Sequence, residues 1–325
     1  MPDFSITNKY LYHFRVFIET MRGCPFNCAF CTATLYSGSK YRYMPEGVLR
    51  GTIEKWCLRR IMPIRLANTN LVADHDKTAR VLNILKEYDI RWWSACSTNI
   101  VEHEDLIKLS ADAGAIHLQF GFESVDEGTL AYINKRQNVV KKYKLLVKKM
   151  HDYGISVGGN FIFGFDTDTP EIFKRTEEFV NDTDIDILLY GMLVPFPGTR
   201  IFDQYHAEGR ILTYNWAKYN AQHLVYEPKN MTREQLINGI AELYDNTYSP
   251  SRILKRFSYA RSAYDAIMNA SMGVVAHIGR HFLYSLMKGT IDESFDEDSA
   301  YVMKRPPNKS FESVRRMAHS MKMQT

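Results

Sequence analysis

The chain has 325 residues, 45% of them apolar, which is enough for one large domain or two ordinary ones around a sizeable core. Its 41 basic and 37 acidic residues leave a formal net charge of +4, a near balance that gives no electrostatic case for a nucleic-acid binder. No apolar run approaches the roughly 20 residues of a membrane-spanning helix, and the opening MPDFSITNKYLYHF lacks the apolar centre of a secretory signal, so a cytoplasmic protein is expected.

From about residue 14 to about residue 208, short β-rich runs alternate with stretches of helical period. In chain order the pattern predicts a strand at Phe14–Thr20, a helix at Glu46–Leu58, a strand at Met62–Asn68 and a helix at His75–Tyr88. A strand at Arg91–Ser97, a helix at His103–Ala113, a strand at Ile116–Phe122 and a helix at Val139–Tyr153 follow. The series ends with a strand at Ser156–Gly164, a helix at Pro170–Asn181, a strand at Asp186–Leu193 and a weaker helix after Pro197-Gly198. Ala113-Gly114 and Tyr153-Gly154 are stop signals of the kind that closes a helix. Six strand-then-helix units of about 30 residues match the βαβ step, and the strands read as apolar on both faces, as a helix-covered parallel sheet requires. A closed eight-fold barrel needs about 250 residues, so a partial (β/α)6 TIM-like barrel is expected, with a flat doubly wound α/β sheet as the alternative. In either case the chemistry belongs at the C-terminal ends of the strands.

After residue 210 the alternation stops. Thr232 reads as an N-cap with Glu234 in the first turn, and the stretch from Ala263 to Met287 carries apolar residues at helical spacing. The expected organisation is a barrel at 1–210, a helical region at 211–300 and a basic, mobile tail at 301–325. In that tail Lys304, Arg305, Lys309, Arg315, Arg316 and Lys322 face Glu312 alone, beside Pro306-Pro307. The acidic run Asp292–Ser299 reads as a solvated loop.

Three of the five cysteines, Cys24, Cys28 and Cys31, fall in RGCPFNCAFCTA directly after the first predicted strand. In a reducing compartment such a trio points to metal or redox chemistry rather than to disulfides. Cys57 and Cys96, among apolar neighbours, read as small core residues. A structural zinc wants a fourth Cys or His. None is close, and His13 and Cys57 could reach the loop only by folding back. A four-iron cluster held by three thiolates differs: its fourth iron stays open, and a small molecule can bind there.

With Phe30 just before its last cysteine, this CxxxCxxC loop resembles that of the radical S-adenosylmethionine (SAM) superfamily. The resemblance runs over roughly residues 14 to 260. It implies a [4Fe-4S] cluster on Cys24, Cys28 and Cys31 whose open iron chelates SAM, with reductive cleavage to methionine and a 5′-deoxyadenosyl radical. After the second strand, Asn70 and Leu71 match the Asp-Asp-Asn-apolar pattern of the branch that carries an N-terminal cobalamin-binding domain, while Asn68 and Thr69 replace its acids. FGFES resembles the Gly-x-Glu-Ser step, which puts Glu123 and Ser124 near the ribose or methionyl part of SAM; the same residues also read as a helix-starting acid and an N-cap. Lys135 stands where this branch is often basic, and reads equally as a surface lysine. GGNFIFG resembles Gly-x-Ile-x-Gly, with Asn160 for the first glycine and Ile162 and Gly164 in register, an adenine wall or a plain buried strand. VPFPGT matches a Pro-x-Pro-Gly-Thr turn through Pro195, Pro197 and Gly198. Tyr244, Tyr248 and Tyr259 read as lining for a substrate entry or as core packing.

The resemblance therefore implies an enzyme whose radical abstracts hydrogen from an organic substrate, small or lipid-like, with methylation, cyclisation or rearrangement as the outcome. A flavodoxin or ferredoxin would supply the electron, in an anaerobic or microaerobic setting. Relatives in this branch carry an Asp-x-His-x-x-Gly cobalamin signature ahead of the barrel, and this sequence holds none. Cobalamin, where used, is expected from a separate chain or from a part of the protein outside this sequence. Two other readings stay open: an iron–sulfur electron carrier, which calls for four protein ligands, and a non-catalytic scaffold with a relict motif.

Overall fold

The computed structural model describes residues 16–58, 63–72 and 74–258. The chain runs β1 (Phe17–Ile18), β2 (Met21–Arg22), α1 (Ala33–Ser37), β3 (Arg42–Tyr43), α2 (Glu46–Trp56), β4 (Ile64–Leu66), α3 (His75–Lys86), β5 (Trp92–Cys96), α4 (Glu104–Asp112) and β6 (Ala115–Glu123). It continues through α5 (Glu127–Tyr132), α6 (Tyr143–Asp152), β7 (Ser156–Phe163), α7 (Glu171–Thr183), β8 (Ile187–Met192), α8 (Arg200–Ala207), α9 (Arg233–Thr247) and α10 (Pro250–Ser258). His13, Tyr259, the apolar helical stretch from Ala263, the acidic run and the basic tail lie outside the described residues.

Six strands form one parallel sheet in the order β1-β4-β5-β6-β7-β8, each beside the next in the chain. An order without reversal puts every right-handed crossover on the same side, so the helices cover one face and the sheet curls around the other. A doubly wound sheet would reverse its order at a switch point. Among the described residues β1 and β8 are not paired, so this is the expected partial barrel.

Side chains alternate along each strand. Ile18, Ile64, Leu66, Trp92, Leu118, Phe120, Phe122, Val157, Phe161 and Leu188 are buried against the helix layer. Phe17, Arg65, Trp93, Gln119, Asn160, Ile162 and Leu189, one step out of phase, are half-buried or exposed. The inner phase is mixed: Phe17, Trp93, Ile162 and Leu189 are apolar as expected of strands apolar on both faces, whereas Arg65, Gln119 and Asn160 are polar. The two faces differ in burial, because an open barrel leaves its inner face to solvent or ligand. On the covered side Phe122 stacks on Phe161 at 5.6 Å and meets Tyr143 edge-on at 4.6 Å.

Helix boundaries follow local chemistry. The Asp74 carboxylate accepts the Lys77 N–H at the start of α3, and Thr232 and Gln235 form a reciprocal capping box on α9. Gly114 and Gly154, the two predicted stops, both have positive φ. The outer edge of β8 is not left bare. The Tyr248 hydroxyl accepts the Leu188 N–H at 2.8 Å and donates to the Leu188 carbonyl at 2.9 Å. The Tyr244 hydroxyl does the same for Tyr190, at 3.0 Å each way. Tyr244 of α9 and Tyr248 at its C-cap thus stand in for a seventh strand, in keeping with their reading as core packing.

Candidate active site

The first predicted strand is cut short. β1 stops at Ile18, and the chain turns into the antiparallel ribbon β2–β3, which pairs Met21 with Tyr43 and Arg22 with Arg42. Asn68 makes the break: its Oδ1 accepts from the Thr20 N–H (3.0 Å), the Thr20 hydroxyl (3.0 Å) and the Met21 N–H (3.2 Å). The ribbon launches the cysteine loop at the C-terminal end of the sheet. Gly23 sits at φ 101°, and a Cβ there would collide with the Lys40 carbonyl, so this turn accepts only glycine.

Cys24, Cys28 and Cys31 are half-buried free thiols. The Thr34 hydroxyl donates to the Phe26 carbonyl at 2.9 Å, and the Cys24 N–H donates to Gly38 O at 3.1 Å. The far side of the barrel also holds the loop. Asn134 Nδ2 and the Arg200 guanidinium both donate to Asn27 O, at 2.8 and 2.9 Å. The Ala29 N–H donates to Ile133 O at 2.8 Å, and the Ile201 N–H donates to Ala29 O at 3.1 Å. Gln137 Nε2 reaches the Cys28 Sγ at 3.7 Å. The loop is therefore bound to the ends of α5 and α8, opposite the strand that launches it. None of these anchors has a local signal in the sequence.

Glu123 ends β6 at φ 61°, where the pairing with β7 slips between Gly121 and Glu123. This bulge in left-handed backbone costs roughly 1–3 kcal/mol and persists only where surroundings enforce it. Asn138 does so, donating to the carbonyls of Gly121 and Phe122 at 2.9 Å each. The bulge aims the Glu123 carboxylate at Lys135, and the two pair with side chains only 8% and 11% exposed. A Cβ on Gly121 would collide with that carboxylate. Lys135 Nζ lies 5.9 Å over the Phe30 ring, itself 5.9 Å from the Phe165 ring. Burial alone would lower the Lys135 pKa, but the Glu123 charge and the Cys28 and Cys31 thiols hold it above its usual value. Burial pushes the Cys24 and Cys31 thiols up, so a metal must displace their protons to bind.

Phe30, Glu123 and Lys135 thus gather at the cysteine loop. Ser124 is buried beside Glu123, and its hydroxyl accepts the Asp126 N–H at 3.1 Å. It is not an N-cap: Asp126 caps α5, accepting the Thr129 N–H at 2.8 Å, because the chain needs two residues to leave the bulge before a helix can start. Asn70, after β4, accepts the N–H groups of Val72 and Ser97 and donates to Val72 O and the Tyr41 hydroxyl, which makes it a brace of its own loop. Ile162 lies on the inner face near the end of β7. Gly164 gives its N–H to Asp168 at 3.0 Å and its carbonyl to the Tyr226 hydroxyl at 2.7 Å. Pro195 is buried in the turn after β8 that leads to Thr199, the N-cap of α8.

A profile of the radical SAM superfamily matches residues 18–180. The chain belongs to that superfamily. It is 28% identical over 263 residues to the bacteriochlorophyllide d C-12(1)-methyltransferase of Chlorobaculum tepidum, covering 78% of this chain and 57% of that protein. To the C-8(2)-methyltransferase of the same organism it is 31% identical over 251 residues, covering 74% and 56%. The anaerobic magnesium-protoporphyrin IX monomethyl ester cyclase of Cereibacter sphaeroides is 26% identical over 269 residues, covering 76% and 42%. The chain spans little more than half the length of the first two relatives. In fold it resembles the radical SAM methyltransferase TsrM of Kitasatospora setae with tryptophan and aza-SAM bound, at TM-score 0.61 and 14% identity, over 87% of this chain and 62% of that one. It also resembles the cobalamin-dependent SAM radical enzyme OxsB, at TM-score 0.57 and 14% identity, over 95% and 49%.

Radical SAM membership implies a [4Fe-4S] cluster and SAM, and the loop fits such a cluster. Four tetrahedral sulfurs on one zinc would stand ~4 Å apart. Among the described residues, however, the ligand atoms that converge within 4.8 Å belong to His75, His103 and Asp105, not to the three thiols. Cys57, considered as a fourth ligand, is the buried C-cap of α2, and Cys96 is buried on β5, both as expected of core residues.

Proposed function

We propose that this chain carries the SAM-cleaving chemistry of a radical SAM enzyme that methylates a small organic molecule, with Cys24, Cys28 and Cys31 holding the [4Fe-4S] cluster. The observation that carries the reading is a loop of three free thiols fastened to both walls of the barrel mouth. When bound, the cluster supplies the electron that cleaves SAM to methionine and a 5′-deoxyadenosyl radical. The chain's own residues hold and shield. Asn134, Arg200 and the Ile133 carbonyl keep the loop still, and the Gln137 amide and the Lys135 charge offset negative charge gathered on the thiolates. Glu123 and Ser124 are the polar contacts for the ribose or methionyl part of SAM, Phe30, Ile162, Gly164 and Pro195 its apolar wall, and Asn70 the brace of the loop after β4.

Methyl transfer is supported by the names of the two Chlorobaculum relatives, and cyclisation, the second reading, by that of the Cereibacter cyclase. The electron comes from a flavodoxin or ferredoxin in the cytoplasm, and cobalamin, where used, from a separate chain or from a part of the protein outside this sequence. No helix among the described residues is long and apolar enough to cross a membrane. Anaerobic reconstitution with iron and sulfide, then reduction with SAM, is expected to give a brown protein that releases 5′-deoxyadenosine. Cys24→Ala, Cys28→Ala and Cys31→Ala should each abolish both. Colour without the nucleoside would mark an electron carrier, and neither would mark a scaffold.

A further inference from the structure

The inner face of the sheet carries a cation that the cysteine loop does not use. Arg65 is the middle residue of β4, between Ile64 and Leu66, which are buried under the helices, so its side chain belongs to the opposite face. Its guanidinium carbon lies 4.6 Å over the Trp93 ring and 5.7 Å over the Phe17 ring, its register partners on β5 and β1. Two rings hold the fork in place and leave its N–H donors unused: among the described residues Arg65 has no carboxylate and no acceptor. Half-buried Arg210 shows the contrast, since Asp166 and Glu208 neutralise it. Trp93 is in the same condition. Its indole N–H has no acceptor among the described residues, whereas that of Trp92, on the covered face, donates to Ala113 O at 2.7 Å. Beside them His117 bonds Ser156 at 3.1 Å and Gln119 at 3.0 Å, and Gln119 donates to Asn160 Oδ1 at 2.7 Å. That chain of bonds ties together His117, Gln119 and Asn160 next to the Trp93 ring, which lies 6.3 Å from that of His117.

We propose that Arg65 and Trp93 form an oxyanion subsite in the barrel lumen that takes the carboxylate or phosphate of the substrate, with the body of that molecule against the 39% exposed ring of Phe17; calling the ligand a substrate rests on the enzymatic reading above. A planar guanidinium already stacked and oriented suits a two-oxygen acceptor, and half-burial strengthens such a pair over one in open water.

The test is calorimetric titration of the reconstituted full chain, without reductant, by 2-naphthoate, 2-naphthyl phosphate and 2-naphthamide, which share a ring system and differ in the head. The wild type is expected to bind one of the two anions at least about ten-fold more tightly than the amide, the tighter of the two naming the oxyanion. Arg65→Gln should erase the preference and Arg65→Lys keep part of it. Trp93→Phe, which keeps a ring and removes the N–H, should weaken the preferred anion about three-fold or more. Equal binding of the three heads, no binding of any, or an unchanged preference in Arg65→Gln overturns the proposal. If Arg65→Gln does not fold, Arg65→Lys and Trp93→Phe decide the matter. No SAM cleavage is read, so a wild type that makes no 5′-deoxyadenosine counts against the proposed function, and one without head-group preference counts against this subsite.

Discussion

Glu123 and Lys135 lie 12 positions apart in the sequence and form one buried ion pair beside the thiols. The carboxylate could be singled out beforehand because an acid that ends an apolar strand needs a polar partner. Lys135 read equally as a surface lysine, and only the bulge at Gly121 makes it that partner. Removing one member of such a pair leaves an uncompensated charge in a desolvated place. Lys135→Met is therefore expected to lower stability by about 3–5 kcal/mol, read from the urea midpoint of the apoprotein. Glu123→Gln combined with Lys135→Met should recover most of that loss. A double variant as unstable as the single one would mean that the pair's role is packing rather than charge.

Among the elements, helices were the most legible. The period of 3.6, a capping side chain at Asp74 or Thr232 and a glycine at 114 or 154 are all local signals, and the observed spans agree with them to within a few residues. The six strands of the parallel sheet were legible in number and order, but neither the β2–β3 ribbon nor which face is wet was, since the latter depends on whether the sheet closes. Edge protection by α9 was invisible. Nothing in Tyr244 or Tyr248 says that a hydroxyl will both give to and take from the backbone of a strand about 55–60 positions earlier. Tyr244→Phe and Tyr248→Phe should each cost about 1–3 kcal/mol, because each leaves a buried N–H and carbonyl without a partner. Amide exchange at Leu188 and Tyr190 should speed up in the respective variants. Unchanged exchange at both amides would show that the edge is protected by other means.

At the scale of the molecule, the boundary read at residue 210 meets a chain that turns back into the barrel. Ile211 bridges to Tyr226, whose buried ring stacks on Tyr205 at 5.1 Å and whose hydroxyl donates to the Gly164 carbonyl. Asp166 takes a bidentate bond from Arg210 at 2.9 and 2.7 Å and a bond from the Tyr205 hydroxyl at 2.9 Å. A chain ended after Arg210 would lose Tyr226 from the loop after β7 and α9 from the edge of β8. It is expected to elute as aggregate in size-exclusion chromatography, whereas a chain ended after Ser258 should stay soluble. A soluble, monomeric 1–210 fragment would vindicate the boundary and make the return of the chain an accessory.

What the sequence determined by itself is what is local in the chain: the periods that make strands and helices, the caps and stops, and three thiols gathered on one short loop. These are local because their partners lie within one turn or one loop, so their energetics are written in neighbouring letters. The tertiary structure decided which side of the sheet stays open, how Asn134, Gln137 and Arg200 fasten the cysteine loop, and that Arg65 and Trp93 stack on the inner face with no acceptor among the described residues. Those depend on closing loops of tens to more than a hundred residues, and the burial that rewards such closure is a property of the assembled sheet rather than of any segment of it.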